Sequence, residues 1–176
     1  DVLFVSGPAC ILPRRLHGCV KVETAEEMLE VLLREVPSAD CLVMCAAVSD
    51  FTPEHSAGGK IERSGSLDLE LLPTPDILKS LRERIDDICP VLAFALEFGE
   101  EAEARAKRKM LRKGASAIFC NPGDSAGGGM ESLSNLGTLI LEDGSSVTLP
   151  PASKKYIAHL IASYFGRHLM KENDEK

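Results

Sequence analysis

A chain of 176 residues with 44% hydrophobic and 27% charged residues has the length and composition of one globular domain with a sizeable core. Its formal net charge of -7 argues against broad nucleic-acid binding, although a local basic cluster can still hold a small anion, and no apolar run approaches the ~20 residues that a membrane helix needs. Six cysteines, Cys10, Cys19, Cys41, Cys45, Cys89 and Cys120, form no CxxC pair and read as reduced core residues of a cytosolic protein, while His17, His55, His159 and His168 lack metal-ligand spacing.

The sequence begins at Asp1 rather than methionine and enters a buried-type strand, Val2 to Ser6, with no signal peptide before it. Natural domains seldom begin in mid-strand, so a segment of a longer polypeptide is expected. Gly7 to Leu16 reads as a loop and Cys19 to Glu23 as a short strand. Thr24 opens a capping box, TAEE, in which Glu27 reaches back to the cap. Met28, Val31, Leu32 and Val36 form the inner stripe of a helix that Pro37 ends.

Cys41 to Cys45 is an uninterrupted apolar run, the pattern of a strand covered on both faces as in a parallel α/β sheet. Such sheets bind ligands beyond the carboxyl ends of their strands. Ala46 and Ala47 follow at that place, too small to fill it, and then Asp50 and Pro53 lead to Gly58-Gly59-Lys60. The paired glycines before a lysine fit either a solvated loop or a flap that swings a positive charge over a bound anion.

Leu67, Leu69 and Leu71 alternate with Asp68 and Glu70 as a half-buried strand near an edge. Thr74 caps a second helix, with Pro75 at its first position and Asp76 near the positive end of the dipole. That helix end is a good cap and also a ready site for an anion. Val91 to Leu96 is a further buried strand ending at Glu97. The next helix, about Glu100 to Lys113, is acidic first and basic last, and Gly114 ends it. Arg105, Lys109, Arg112 and Lys113 share one stripe of it, either a solvated face or a polyphosphate grip.

Ser116 to Cys120 is the last parallel-type strand, closing at Asn121. Asn121 to Asn135 is a Ser/Gly-rich loop whose Gly127-Gly128-Gly129 precedes no helix, so it is neither a Walker loop nor a dinucleotide fingerprint. Leu136 to Leu141 and Ser146 to Leu149 flank Asp143-Gly144 as a hairpin. Ser153 caps a terminal helix with Tyr156, Ile157, Leu160, Ile161, Tyr164 and Phe165 as its apolar face, and the tail from Lys171 is expected to fray. The fold class is therefore α/β, a three-layer Rossmann-like parallel sheet with helices on both faces and a C-terminal β-hairpin plus helix. Residues 1 to 170 are expected to form a single domain, followed by a flexible tail over 171 to 176.

AAVSDF, then GGK ten residues after the acid, an alternating strand, PDIL, a strand ending in Phe, a helix ending KMLRKG and a strand ending in Asn together resemble phosphopantothenoylcysteine synthetase. In bacteria that enzyme is the C-terminal half of a bifunctional coenzyme A biosynthesis protein that also carries a flavin decarboxylase. The resemblance runs nearly end to end and implies a cytoplasmic ligase, and a homodimer, that joins 4'-phosphopantothenate to cysteine through an acyl nucleotidylate. It implies CTP with Mg2+ in the bacterial branch, to which PDIL is similar, although AAVSDF also fits the ATP-using branch. By family position Lys60 is the catalytic flap lysine on the nucleotide phosphates. Asp50, Pro75, Asp76, Ile77, Leu78, Phe94, Lys109 and Lys113 match nucleotide-binding positions, with Phe94 as the base-pocket aromatic. Ala46 and Ala47 line the substrate channel, with Asn121 nearby.

The chain departs from the family in two places. After Gly129 it has Met130 and Leu133 where the family has Phe and Asp, while Asn135 is kept. The family's opening strand, its glycine turn and an Asn-x-Ser-Ser-Gly motif are absent. In the family that strand lies centrally, between the counterparts of Val2 to Ser6 and Cys41 to Cys45. Residues 1 to 176 alone are therefore expected to be inactive and poorly soluble until the preceding segment is supplied. The alternative reading is a catalytically incomplete nucleotide-binding module, and a nicotinamide-dependent reductase lacks its glycine fingerprint.

Overall fold

The computed structural model describes residues 1–9, 13, 16–55, 57–63, 65–123 and 133–174. Cys10, the glycines at 127–129 and Met130 lie outside them. In chain order the elements are β1 (Leu3–Ser6), β2 (Gly18–Lys21), α1 (Ala25–Glu35), β3 (Leu42–Met44), β4 (Phe51–Pro53), β5 (Leu71–Pro73) and α2 (Ile77–Arg84). There follow β6 (Val91–Glu97), α3 (Ala102–Lys113), β7 (Ala117–Pro122), β8 (Ser134–Leu141), β9 (Ser146–Ser153) and α4 (Lys154–Asp174). The chain divides into two compact units, Asp1–Pro37 with Ala46–Asp86, and Ser38–Cys45 with Asp87–Lys176.

In the first unit β1 pairs in parallel with β2, and β4 pairs antiparallel with β5. The capping box forms as its sequence dictates: Thr24 Oγ1 accepts from the Glu27 amide at 3.1 Å, and the Glu27 carboxylate accepts from the amides of Glu23 and Thr24. Helix α1 buries Met28, Leu29, Val31 and Leu32, and α2, packed against it, buries Ile77, Leu78 and Leu81. The cap of α2 is Asp76 rather than Thr74, its carboxylate accepting from the Lys79 amide at 3.3 Å. Thr74 instead donates its hydroxyl to the Ser49 carbonyl, which takes it out of capping range.

The second unit is a five-stranded mixed sheet in the order β3-β6-β7-β8-β9. Strands β3, β6 and β7 run parallel, as the buried apolar runs predict, and the C-terminal hairpin extends the same sheet in antiparallel fashion. Alternation along the strands gives two apolar faces. Leu92, Phe119, Leu139 and Leu149 meet Ile157, Ile161 and Phe165 of α4 on one face. Ala93, Ala95, Ile118 and Cys120 point the other way, the side of β6 and β7 on which α3 buries Ala102, Ala106 and Met110. Helices thus cover both faces. Gly114 ends α3 at φ 60°, a left-handed turn that glycine adopts at least cost. Ser153 caps α4 through the Tyr156 amide, and the helix runs on to Asp174, past the expected fraying point at Lys171.

Four sequence expectations are corrected. Val2 to Ser6 is not a buried strand throughout: Val2 and Leu3 are 58% and 42% exposed. Cys41 to Cys45 is not a buried strand: among the described residues β3 pairs only with β6, Val43 is 51% exposed, and Cys41 and Cys45 are exposed. Leu42 and Met44 on one face of this edge strand are half-buried, while Val43 on the other faces solvent. The cysteines consequently are not all core residues, since Cys19 is exposed too, Cys89 is half-buried, and Cys120 alone among the described thiols is buried; all five are free. The strand expected over Leu67 to Leu72 shrinks to Leu71–Pro73, and Leu67 and Leu69 are 68% and 61% exposed. Its partner β4 is only three residues long and gives them nothing to pair with.

Candidate functional site

Two groups of candidate residues take shape, one in each unit. In the first, the β4/β5 ladder sets Phe51 opposite Pro73, and one step beyond it the Thr74 amide donates to the Asp50 carbonyl at 3.0 Å. This joins Asp50 to the segment Thr74-Pro75-Asp76, residues 24 or more positions away in sequence brought side by side. The Asp50 carboxylate is exposed, Pro75 is half-buried, and Ile77 and Leu78 sit in the core at 4% exposure. The last two therefore present only backbone to a ligand. The loop between β4 and β5 is closed at its base by the Glu54 amide donating to the Glu70 carbonyl at 3.0 Å. Lys60 lies exposed on that loop, and a Cβ on Gly58 or Gly59 would meet nothing within 4 Å. Packing does not demand either glycine. Ala46 and Ala47 follow β3 in the chain and are exposed, open to solvent as the small-residue reading requires.

In the second unit, Phe94 lies opposite Phe119, and Leu96 opposite Asn121. Phe94 and Asn121 accordingly share the sheet face that bears α4. Phe94 packs edge-to-face on Phe119, ring centroids 5.8 Å apart at 62°. The Asn121 Oδ1 is buried and, among the described residues, accepts no hydrogen bond. A buried amide oxygen in that condition is costly unless a ligand or water pairs with it.

Lys109 and Lys113 stand a turn apart on α3, half-buried beside its inner stripe. The helix runs back from the carboxyl ends of the strands, and the Ser116 amide donates to the Val91 carbonyl, so Lys113 stands near the amino end of β6. Within this unit Lys113 and Asn121 are at opposite ends of the sheet. Arg105 leaves the expected basic stripe altogether. Its Nε donates to Glu97 at 3.1 Å and its Nη2 to the Phe98 carbonyl. That corner was readable only as a positive residue eight positions after an acid, a spacing across a strand-to-helix turn that sequence alone does not make a pair.

At the carboxyl ends of β6 and β7 a cavity of about 350 Å³ is lined by Gly99, Glu103, Cys120, Gly137 and Thr138 among others. Thr138 Oγ1 donates to Glu103 at 2.6 Å. Burial first, then the Glu103 and Glu97 carboxylates, push the Cys120 thiol up to about 11. The thiolate is disfavoured in the fold and not in the unfolded chain. Stability is thus intact below the ordinary thiol range and falls as pH rises from about 9 to 11. Cys120→Ala should flatten that alkaline slope in thermal melts, and a slope unchanged by the substitution would assign it to another group.

Residues 1–167 match the family described as DNA/pantothenate metabolism flavoprotein C-terminal domain. The chain is 32% identical over 155 residues to the coenzyme A biosynthesis bifunctional protein CoaBC of Bacillus subtilis, covering 87% of this chain and 38% of that protein. It spans about two fifths of the length of such relatives. Among solved structures, the C-terminal domain of a coenzyme A biosynthesis bifunctional protein CoaBC superposes with a TM-score of 0.77 at 31% identity, over 97% of this chain and 77% of that one. A Cab2 mutant in complex with phosphopantothenate-cysteine has a TM-score of 0.56 at 17% identity, over 89% of this chain and 53% of that one, a likeness of fold. By its sequence over nearly all its length, and by its fold, the chain belongs to the DNA/pantothenate metabolism flavoprotein C-terminal domain family.

Proposed function

We propose that the protein is the ligase part of a coenzyme A biosynthesis enzyme, condensing 4'-phosphopantothenate with cysteine at the expense of CTP. The observation that carries this reading is the junction of Asp50 with Thr74-Pro75-Asp76, with Lys60 on the loop between the two joined strands. An acid, a helix amino end and a lysine tied to one strand pair suit a nucleotide. The relatives named for coenzyme A biosynthesis support the pathway, and the neighbour of like fold in complex with phosphopantothenate-cysteine supports the choice of substrates.

The pantothenate carboxylate attacks the α-phosphorus of CTP, forming an acyl cytidylate and releasing pyrophosphate. The cysteine amine then attacks the acyl carbon and CMP leaves. This chain contributes position and charge rather than a nucleophile. Lys60 offsets charge on the phosphates, the Asp50 segment and Phe94 bind the nucleotide, and Ala46, Ala47 and Asn121 bind phosphopantothenate. Lys109 and Lys113 are assigned to nucleotide phosphates; the distance of Lys113 from Asn121 makes it the first residue to test by substitution.

In this scheme the magnesium ion is carried by the nucleotide. Mg2+ commonly takes one carboxylate and the substrate's phosphates. Asp50 would be the carboxylate in that role, and the ion would supply charge neutralisation at the phosphates.

We place the reaction in the cytoplasm and a flavin-dependent decarboxylase in the same parent protein. We further propose a homodimer through the exposed leucines of residues 67–72, since Leu67, Leu69, Leu71 and Leu72 are all more than 40% exposed and such an apolar strip is covered in stable assemblies. Leu69→Asp with Leu71→Asp should halve the mass seen by sedimentation of the full-length protein, and an unchanged mass would move the interface elsewhere.

The ligase reading is tested by pyrophosphate release from the full-length protein. Release should require CTP and 4'-phosphopantothenate together. Nucleotide binding without release would favour the incomplete nucleotide-binding module, a reading supported by the one-sided pairing of β1 and β3 among the described residues.

A further inference from the structure

We infer that Arg105 is a positioning residue that sets Asn121 through the corner at the end of β6, a claim that rests on the ligase reading only for its effect on turnover. Glu97 is the last residue of β6, its side chain 17% exposed, and Arg105 from α3 bonds to its carboxylate and to the next carbonyl, that of Phe98. The chain is thereby held as it leaves the sheet, and the Gly99 carbonyl accepts from the Ala102 amide to start α3. The same two residues grip the end of β7. The Gly123 amide donates to the Glu97 carbonyl at 2.8 Å, and Pro122 lies opposite Glu97 in the ladder. The Phe98 ring lies against Gly123 so closely that a Cβ there would come within 2.4 Å of it.

Asn121 precedes these two anchored residues and carries a buried Oδ1 with no partner among the described residues. Among the described residues no donor holds that oxygen, so its aim depends on where the backbone of 121–123 is fixed. Arg105 fixes it at one remove, through Glu97 and Phe98. Lysine could keep the ion pair with Glu97 but lacks the rigid planar fork that fixes the Glu97 carboxylate and the Phe98 carbonyl in one geometry. A purely stabilising role predicts loss of folded protein. A positioning role predicts loss of rate in protein that remains folded.

The test uses full-length protein carrying Arg105→Ala or Arg105→Lys, with kcat and KM measured for each substrate and the Asn121 side-chain amide signal followed by NMR. The signal is assigned by its disappearance in Asn121→Asp. Arg105→Ala should lower kcat about 10- to 100-fold, in the range that a small misplacement of a reacting group costs, with KM for CTP changed less than about threefold. Arg105→Lys should recover part of kcat, and the Asn121 signal should move in Arg105→Ala. An unmoved signal overturns the proposal, whether kcat is kept or falls with the melting temperature. If the unsubstituted protein shows no turnover, the ligase reading fails, while the signal still decides whether Arg105 sets Asn121.

Discussion

Lys60→Ala in the full-length protein is expected to lower turnover by about 10²- to 10³-fold with no change in melting temperature. The size follows from the removal of one charge-stabilising donor, which costs about 3 to 4 kcal/mol where negative charge develops on the reacting group. The absence of a stability effect follows from the structure. Lys60 is exposed on the loop closed by Glu54 and Glu70, preceded by two glycines in open space, and among the described residues it pairs with no acid. Lys60→Arg keeps the charge but changes its shape and reach, so it should fall between the two. Pyrophosphate release by Lys60→Ala at the original rate would remove this residue from the chemistry.

The other large effect is on the fold. Phe119 is fully buried between Leu92, Leu139 and the apolar face of α4, and it carries the edge-to-face contact with Phe94. Phe119→Ala should cost about 3 to 5 kcal/mol, the usual range for emptying an aromatic site in a core. At about 2 to 4 °C per kcal/mol for a domain of this size, the melting temperature should fall by roughly 6 to 20 °C. Where that variant fails to accumulate, Phe119→Leu should show a smaller drop, together with weakened nucleotide binding because Phe94 loses its ring partner. A melting temperature within about 2 °C of the original for Phe119→Ala would mean that the second unit draws its stability from elsewhere.

The elements set by local chemistry were legible in the sequence. The Thr24 to Glu27 box, the Gly114 stop and the Asp143-Gly144 turn all form where their residue types demand. Period and length likewise identified β6 and β7 as buried strands, because both are flanked by neighbours and covered on both faces. Cys41 to Cys45 has the same pattern but sits at an edge, and an apolar run does not state how many of its sides will be covered. The alternation from Leu67 to Leu71 fails for a related reason: a strand needs a partner of matching length, and β4 offers three residues. At the site, the residue types were visible and their company was not. The closeness of Asp50 to Thr74 depends on the β4/β5 register, and the union of Arg105 with Glu97 on the turn from strand to helix. Neither distance is encoded by spacing along the chain.

The proposed chemistry activates the pantothenate carboxylate on the nucleotide's α-phosphorus. It is tested most directly with 4'-phosphopantothenate carrying 18O in its carboxylate, incubated with the full-length protein, CTP, Mg2+ and cysteine. Mass spectrometry should find one 18O in CMP, none in pyrophosphate, and one in the new amide of phosphopantothenoylcysteine. An 18O label in inorganic phosphate, or amide formed with unlabelled CMP, would contradict it.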